Sequence, residues 1–229
     1  MTGFDDKITS FEMIPHSEWF DYDLKVTLKP TFKCNHQCWF CTEYDNSTKS
    51  WTKEQCDQVL EKLKDIPKNK KRIFFYFYGG EPTLSKYWEY LNYRLVEIFH
   101  DRELFIQTQT NLSLNKNRLD TFLKTINALK SDKHVIDMCS SYHLNKQSAE
   151  DFIDKMHICN DYNSLGFCFF STELLHKEQT LQELQSIIDV YPSKVKMRFT
   201  EIHDLKYRNI PEYAEYLDDP YLLGTDNGK

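Results

Sequence analysis

An α/β fold with a parallel sheet is what this sequence predicts, and three observations predict it. Six short runs of alternating or continuous apolar residues read as strands. Each of the first five is followed, directly or after a loop, by a stretch with helical apolar spacing. The residues with chemistry to offer cluster just after strand ends, where parallel α/β folds collect their ligands.

Residues 1–23 show little periodicity and read as an N-terminal extension that Phe11, Trp19, Phe20 and Tyr22 would pack onto the domain. Residues 24–28, Leu-Lys-Val-Thr-Leu, alternate as a strand does and deliver the chain to a cysteine-rich loop. Residues 52–66 follow as a helix with Val59, Leu60, Leu63 and Ile66 on one face and Thr52 as its N-cap. Residues 73–78 form an aromatic strand running into two glycines, and a helix from Ser85 carries Trp88, Leu91, Leu95 and Ile98. The third unit pairs a strand at 104–110 with a helix at 118–130 bearing Leu119, Phe122, Leu123, Ile126 and Leu129. A fourth strand at 135–141 leads to a helix at 148–158. The fifth strand, 165–170, precedes a helix at 180–190 that stops before Pro192, and 195–201 is the sixth strand. Alternation of this kind implies right-handed crossovers. Six units are too few for a closed eight-fold barrel, and alternation alone equally allows a flat doubly wound sheet. No linker breaks the pattern, so residues 24–203 read as one domain and 204–229 as a C-terminal tail.

Composition narrows the function class. The chain has 229 residues, enough for one sizeable core, with 16 Phe, 14 Tyr and 4 Trp to fill it. No apolar run is long enough to span a membrane, and the polar, acidic first ten residues exclude an ordinary signal peptide. Seven cysteines in no disulfide pattern point to a reducing compartment, and a cytoplasmic location is expected. A net charge of −6 without a basic stripe argues against a nucleic-acid partner; the short basic run at 68–72 reads as a solvated connection.

Cys34-Asn35-His36-Gln37-Cys38-Trp39-Phe40-Cys41 is the most informative stretch, with spacing Cys-x3-Cys-x2-Cys. Thiolates are soft ligands that suit iron–sulfur clusters and zinc. Most clusters take four protein cysteines, so three close thiolates leave one iron open to an outside ligand. A closed zinc loop of Cys34, His36, Cys38 and Cys41 is the alternative; it requires His36 to fold inward across a tight loop, and it leaves a second motif without a role. That motif is Phe77-Tyr78-Gly79-Gly80-Glu81-Pro82.

Together, in this order and after strands, the two motifs resemble those of the radical S-adenosylmethionine (SAM) superfamily over residues 24–203. The resemblance implies a partial (β/α)6 barrel. It implies a 4Fe–4S cluster held by Cys34, Cys38 and Cys41, whose open iron is chelated by SAM. Phe40 matches the aromatic position before the third cysteine. Gly79, Gly80, Glu81 and Pro82 match the motif that holds the SAM amino group, with Glu81 either positioning the amino-acid end of SAM or supporting the loop. Two glycines let backbone approach a ligand closely. Thr110 and Asn111 match the third-strand pair of the family, and Ser141 matches a serine that contacts ribose or carboxylate. His143 stands where relatives often have an acidic residue. No arginine closely follows it, and Lys146 is a weak stand-in for the arginine that binds the SAM carboxylate in many relatives.

Strand parity suggests a polar interior. Gln107 and Gln109 alternate with apolar-facing neighbours on the third strand, Asp137, Cys139 and Ser141 share a face of the fourth, and Lys196 and Arg198 share one of the sixth. Packed barrels fill this space with Val, Ile and Leu. Gln107, Gln109, Asp137, Lys196 and Arg198 are therefore expected to line a substrate cavity, with Asp137 balancing one of the cations. A sixth strand lying at an open edge would instead leave Lys196 and Arg198 in water. Cys56, Cys159 and Cys168 read as small buried hydrophobes.

The resemblance implies an enzyme. An electron donor such as flavodoxin or ferredoxin reduces the cluster, SAM is cleaved to methionine and a 5′-deoxyadenosyl radical, and the radical takes hydrogen from substrate. The layout around the cysteines resembles that of peptide- and protein-modifying members, which makes a peptide or protein the first expected substrate. A small molecule or nucleotide, activation of a glycyl-radical partner, and a non-catalytic metal-binding interaction module are the alternatives.

Overall fold

A computed structural model describes residues 22–36, 41, 49–143 and 146–162, and the backbone of 167–171 and 196–200. The expected N-terminal extension before Tyr22, the helix at 180–190 and the C-terminal tail lie outside the described residues.

Six strands form one parallel sheet: β1 (Leu24–Leu28), β2 (Arg72–Phe77), β3 (Glu103–Thr110), β4 (His134–Tyr142), β5 (Phe167–Ser171) and β6 (Lys196–Thr200). Between them lie α1 (Lys53–Leu63), α2 (Trp88–Ile98), α3 (Lys116–Leu129) and α4 (Ala149–Asp161). Strand order is β1-β2-β3-β4-β5-β6, the order of the chain itself. A doubly wound sheet needs a reversal of order to place helices on both faces. Without a reversal, right-handed crossovers put every helix on one side, and the contacts agree. The Trp88 indole N–H of α2 donates to the Thr108 hydroxyl at 3.1 Å, and Trp88 packs on Phe122 of α3 with ring centroids 4.2 Å apart. From α4, Phe152 packs on Tyr142 at 5.0 Å. Thr108 and Tyr142 lie on the same pleat of neighbouring strands. The sheet is thus singly wound, the architecture of a partial barrel.

Local signals explain the element ends. Thr52 and Gln55 form a reciprocal capping box at α1: the Gln55 N–H donates to the Thr52 hydroxyl, and the Thr52 N–H to the Gln55 side chain. Asn115 caps α3, which therefore starts two residues before the expected Arg118, and Ser148 caps α4. Such caps are each worth about 1 kcal/mol. A helix from Ser85 does not form as a single piece. Pro82–Leu84 make a 3₁₀ turn, and α2 starts only at Trp88.

The core lies between sheet and helices: Ile73, Phe75, Phe77, Trp88, Leu91, Leu95, Ile106, Leu119, Phe122, Met138, Phe152 and Met156 are all buried there. Cys56 and Cys159 sit within it as small apolar side chains. The other face is of a different kind. Near the amino ends of the strands, Tyr22, Phe74 and Phe105 pack ring against ring at 5.2–6.0 Å. Nearer the carboxyl ends this face turns polar.

Candidate active site at the carboxyl ends of the strands

The turn after β2 binds the approach to the cysteine run. Gly79 has φ +129°, and a Cβ there would lie 2.6 Å from the Thr31 carbonyl oxygen. A Cβ at Gly80 would lie 2.3 Å from the Lys33 oxygen and 2.5 Å from that of Phe32. The Gly80 N–H donates to Thr31 O at 3.3 Å and the Glu81 N–H to Lys33 O at 2.7 Å. The close approach that requires glycine is thus to residues 31–33, one step before Cys34. A side chain at Gly80 must displace Phe32 and Lys33, which lead into the cysteine run.

Glu81 is almost wholly buried, and its carboxylate is engaged by protein donors. The Thr83 N–H (3.1 Å), the Thr83 hydroxyl (2.6 Å) and the Thr110 hydroxyl (2.7 Å) reach Oε1; the Asn111 N–H reaches Oε2 at 2.7 Å. Burial pushes this carboxyl up, and the donors from Thr83, Asn111 and Thr110 oppose it by favouring the carboxylate. Pro82, also buried, opens the 3₁₀ turn that brings Thr83 back to Glu81. Arg118 of α3 supports that turn by donating to Thr83 O at 3.2 Å.

Of the three expected cluster cysteines, Cys34 and Cys41 fall among the described residues; Cys38 lies outside them, as does Phe40. The His36 N–H donates to Cys34 Sγ at 3.4 Å. Desolvation raises the Cys34 thiol, the His36 N–H opposes it, and nearby Glu81 and Cys41 add to the rise. The His36 ring is buried, and its Nδ1 has no hydrogen-bond partner among the described residues. Two soft donors side by side, with a buried polar atom still open next to them, fit a thiolate-ligated cluster. Among the described residues no group of three or more His, Cys, Asp or Glu is arranged as a metal site.

At the end of β4, His143 meets His36 edge-on with ring centroids 5.3 Å apart. Burial lowers the His143 pKa to about 4, with His36 and Lys146 adding to the shift. Ser141 is half-buried and accepts a long 3.4 Å bond from Gln109 Nε2, while its carbonyl accepts from Gln147 at 3.4 Å.

The polar part of the open face is a set of paired groups. Gln107 Nε2 donates to Asp137 Oδ2 at 2.6 Å, and both residues are buried. The Tyr76 hydroxyl donates to Gln109 Oε1, and Tyr76 stacks on Tyr78 at 5.4 Å. Lys29 stands 5.1 Å from the Tyr78 ring centroid. Gln107 is thus one partner of Asp137. The Lys196 and Arg198 side chains lie outside the description; their backbone places Lys196 opposite Phe167, and Arg198 on the register line Ser141–Phe169–Arg198. β6 closes the strand order, pairing with β5.

Sequence reasoning missed Asn35, Ser113, Tyr76 and Gln147. Asn35 Oδ1 accepts from Asn111 Nδ2 at 3.0 Å and from the Ser113 hydroxyl at 3.2 Å, which ties the cysteine run to the end of β3. Its position between two expected ligand-loop residues was the available signal. Tyr76 shares the β2 parity of Phe74, a signal present in the alternation itself.

Comparison with known proteins bears on this arrangement. The sequence model of the radical SAM superfamily matches residues 28–191, from the end of β1 past β5. The chain belongs to the radical SAM superfamily. Members of this superfamily use a 4Fe–4S cluster and AdoMet. A protein of Methanocaldococcus jannaschii, named as a putative glycyl-radical enzyme activating enzyme, is 25% identical over 195 residues, 84% of this chain and 68% of that one. Among solved structures, native anSMEcpe with bound AdoMet and Cp18Cys peptide superposes with a TM-score of 0.56 at 15% identity, over 79% of this chain and 51% of that one. A histidine-tagged form of anSMEcpe with bound AdoMet gives 0.54 at 16% identity, over 79% and 52%. Both show the radical SAM fold, and this chain spans about half the length of those structures. No helix among the described residues is long and apolar enough to cross a membrane.

Proposed function

We propose that this chain is a radical SAM enzyme that takes a hydrogen atom from a peptide or protein. The observation that carries the reading is the placement of Cys34 and Cys41 beside the Glu81-anchored turn, at the carboxyl end of the sheet and next to its polar face. Cys34, Cys38 and Cys41 hold a 4Fe–4S cluster. When bound, the cluster and SAM supply one-electron reductive cleavage and a hydrogen-abstracting radical, with the electron coming from a flavodoxin or ferredoxin.

The chain's own residues bind and orient. The Gly79 and Gly80 backbone would accept from the SAM ammonium, as the match of this turn to the family motif implies. Ser141 and His143 would contact the ribose or carboxylate of SAM, and Phe40 keeps the role the resemblance gives it, the aromatic position before the third cysteine. Glu81, Thr110 and Asn111 spend their bonds on one another and hold the loops in place. Gln107, Gln109 and Asp137 offer amide and carboxylate groups on the open face; Lys196 and Arg198 are proposed as further substrate-cavity residues. Side-chain amides match the donor and acceptor pattern of a peptide backbone.

Two comparisons support a polypeptide substrate: the relative named as a putative glycyl-radical enzyme activating enzyme, and the neighbour solved with a peptide. The first favours a particular case, a glycine in a partner protein. The test is anaerobic reaction of reconstituted, reduced protein with SAM and a peptide deuterated at glycine Cα. The expected result is 5′-deoxyadenosine carrying deuterium. Intact SAM overturns the enzymatic reading; deuterium gained only from small molecules or nucleotides overturns the polypeptide substrate.

A further inference from the structure

We propose that Asn35 is a positioning residue, through which the end of β3 sets the orientation of Cys34. The proposal rests on the reading of Cys34 as a cluster ligand. Cys34 is gripped on both sides, and the two grips come from different strands. On one side Lys33 O accepts the Glu81 N–H at 2.7 Å, a bond from the turn after β2. On the other, Asn35 Oδ1 accepts from Asn111 Nδ2 at 3.0 Å and the Ser113 hydroxyl at 3.2 Å, both after β3.

The circuit closes through buried groups. Asn111 Oδ1 is taken by the Ser113 N–H at 3.0 Å, which leaves the amide nitrogen to face Asn35. The Asn111 N–H goes to Glu81 Oε2 at 2.7 Å, so the residue holding Asn35 is itself held by the residue holding Lys33. Between Asn111 and Ser113, Leu112 adopts φ +56°, unusual for a residue with a branched side chain. The Thr110 hydroxyl fixes that bend by accepting the Leu112 N–H at 3.0 Å. A backbone held in this conformation brings Ser113 round to the cysteine run.

Asn35 acts only as an acceptor in this circuit, and Asn111 acts on it only as a donor. Chemistry therefore separates two substitutions of the same size. Asn35→Asp keeps an oxygen for both donors. Asn111→Asp keeps the acceptor for the Ser113 N–H but turns an oxygen toward Asn35 Oδ1. Groups that orient metal ligands typically change metal affinity 10- to 100-fold when lost.

The experiment uses the reconstituted full chain and reads iron per chain, the rate of iron loss to a chelator, and the EPR spectrum of the reduced cluster. Asn35→Ala and Asn111→Asp are expected to lose iron about tenfold faster than the parent, with broadened spectra. Asn35→Asp stays close to the parent. The Asn35→Ala/Asn111→Asp double variant is no worse than the weaker single, as expected of groups that act on each other. The thermal midpoint of the metal-free Asn35→Ala protein reports folding separately, and Ser113→Ala gives a milder second variant. Parental iron retention in Asn35→Ala, or an Asn35→Asp protein as leaky as Asn35→Ala, overturns the proposal. A Cys34→Ala protein that keeps a full cluster overturns the ligand reading beneath it.

Discussion

The ends of β2 and β3 differ from the end of β4, although the sequence resemblance singles out residues at all three. After β2 and β3 the polar groups are consumed by protein: four donors on Glu81, two on Asn35, and two backbone N–H groups on residues 31 and 33. After β4, Ser141 is half-buried and bonded at 3.4 Å, and His143 is half-buried against another imidazole. A buried polar group with all its bonds made rigidifies its surroundings. The Ser141 side chain, half-buried and bonded only at 3.4 Å among the described residues, is held less tightly. On the proposed reading, residues at the first location position the cysteine run, and Ser141 at the second contacts SAM.

Substitutions can break this contrast, and the largest effect belongs to Gly80. Gly80→Val drives a branched side chain into the Phe32 and Lys33 carbonyls, at a cost of about 3 kcal/mol. Chemical denaturation of the metal-free protein reads the destabilisation, and iron content falls with it. Unchanged iron together with lost SAM affinity would show that the turn serves SAM alone. Next comes Glu81→Gln, which turns an NH₂ group toward either the Asn111 N–H or the Thr83 and Thr110 donors. Leaving such a buried donor unpaired costs about 2 kcal/mol. If Glu81→Gln matches the parent in denaturation midpoint, the carboxylate is not the anchor described above.

Ser141→Ala sharpens the contrast from the other side. Stability should change by under about 0.5 kcal/mol, whereas SAM binding to the reconstituted protein weakens, as measured by calorimetric titration. The smallest effect is that of pH. His143 has a folded pKa of about 4 against an ordinary 6.5, so the unfolded chain binds more protons between those values. Stability of the metal-free protein is full above about 6.5 and declines as pH falls toward about 4. His143→Gln should flatten that decline, measured by urea midpoints across the range. An unaltered profile would mean that His143 is solvated as in the unfolded chain.

Much of the fold was legible because its signals are local. The alternation of Leu24–Leu28, the Thr52 cap and the apolar spacing of α2 and α3 each need only a short window of sequence. Barrel against doubly wound sheet was not legible from alternation, because it depends on strand order, a non-local property. Within the site, ligand spacing advertised Cys34 and Cys41, since their chemistry depends on residue type. The role of Glu81 was not legible: a carboxylate facing four donors and one facing a ligand are the same letter. Asn35 gave still less away, because its partners stand 76 and 78 positions further along the chain.

The most direct test of the central claim is iron quantitation with EPR on anaerobically reconstituted protein, before and after SAM is added. One cluster on three cysteines predicts about four irons per chain and a reduced-cluster spectrum that changes on SAM addition. Cys34→Ala, Cys38→Ala and Cys41→Ala should each abolish both. Zinc without iron, about eight irons, or a four-iron spectrum indifferent to SAM would contradict the account.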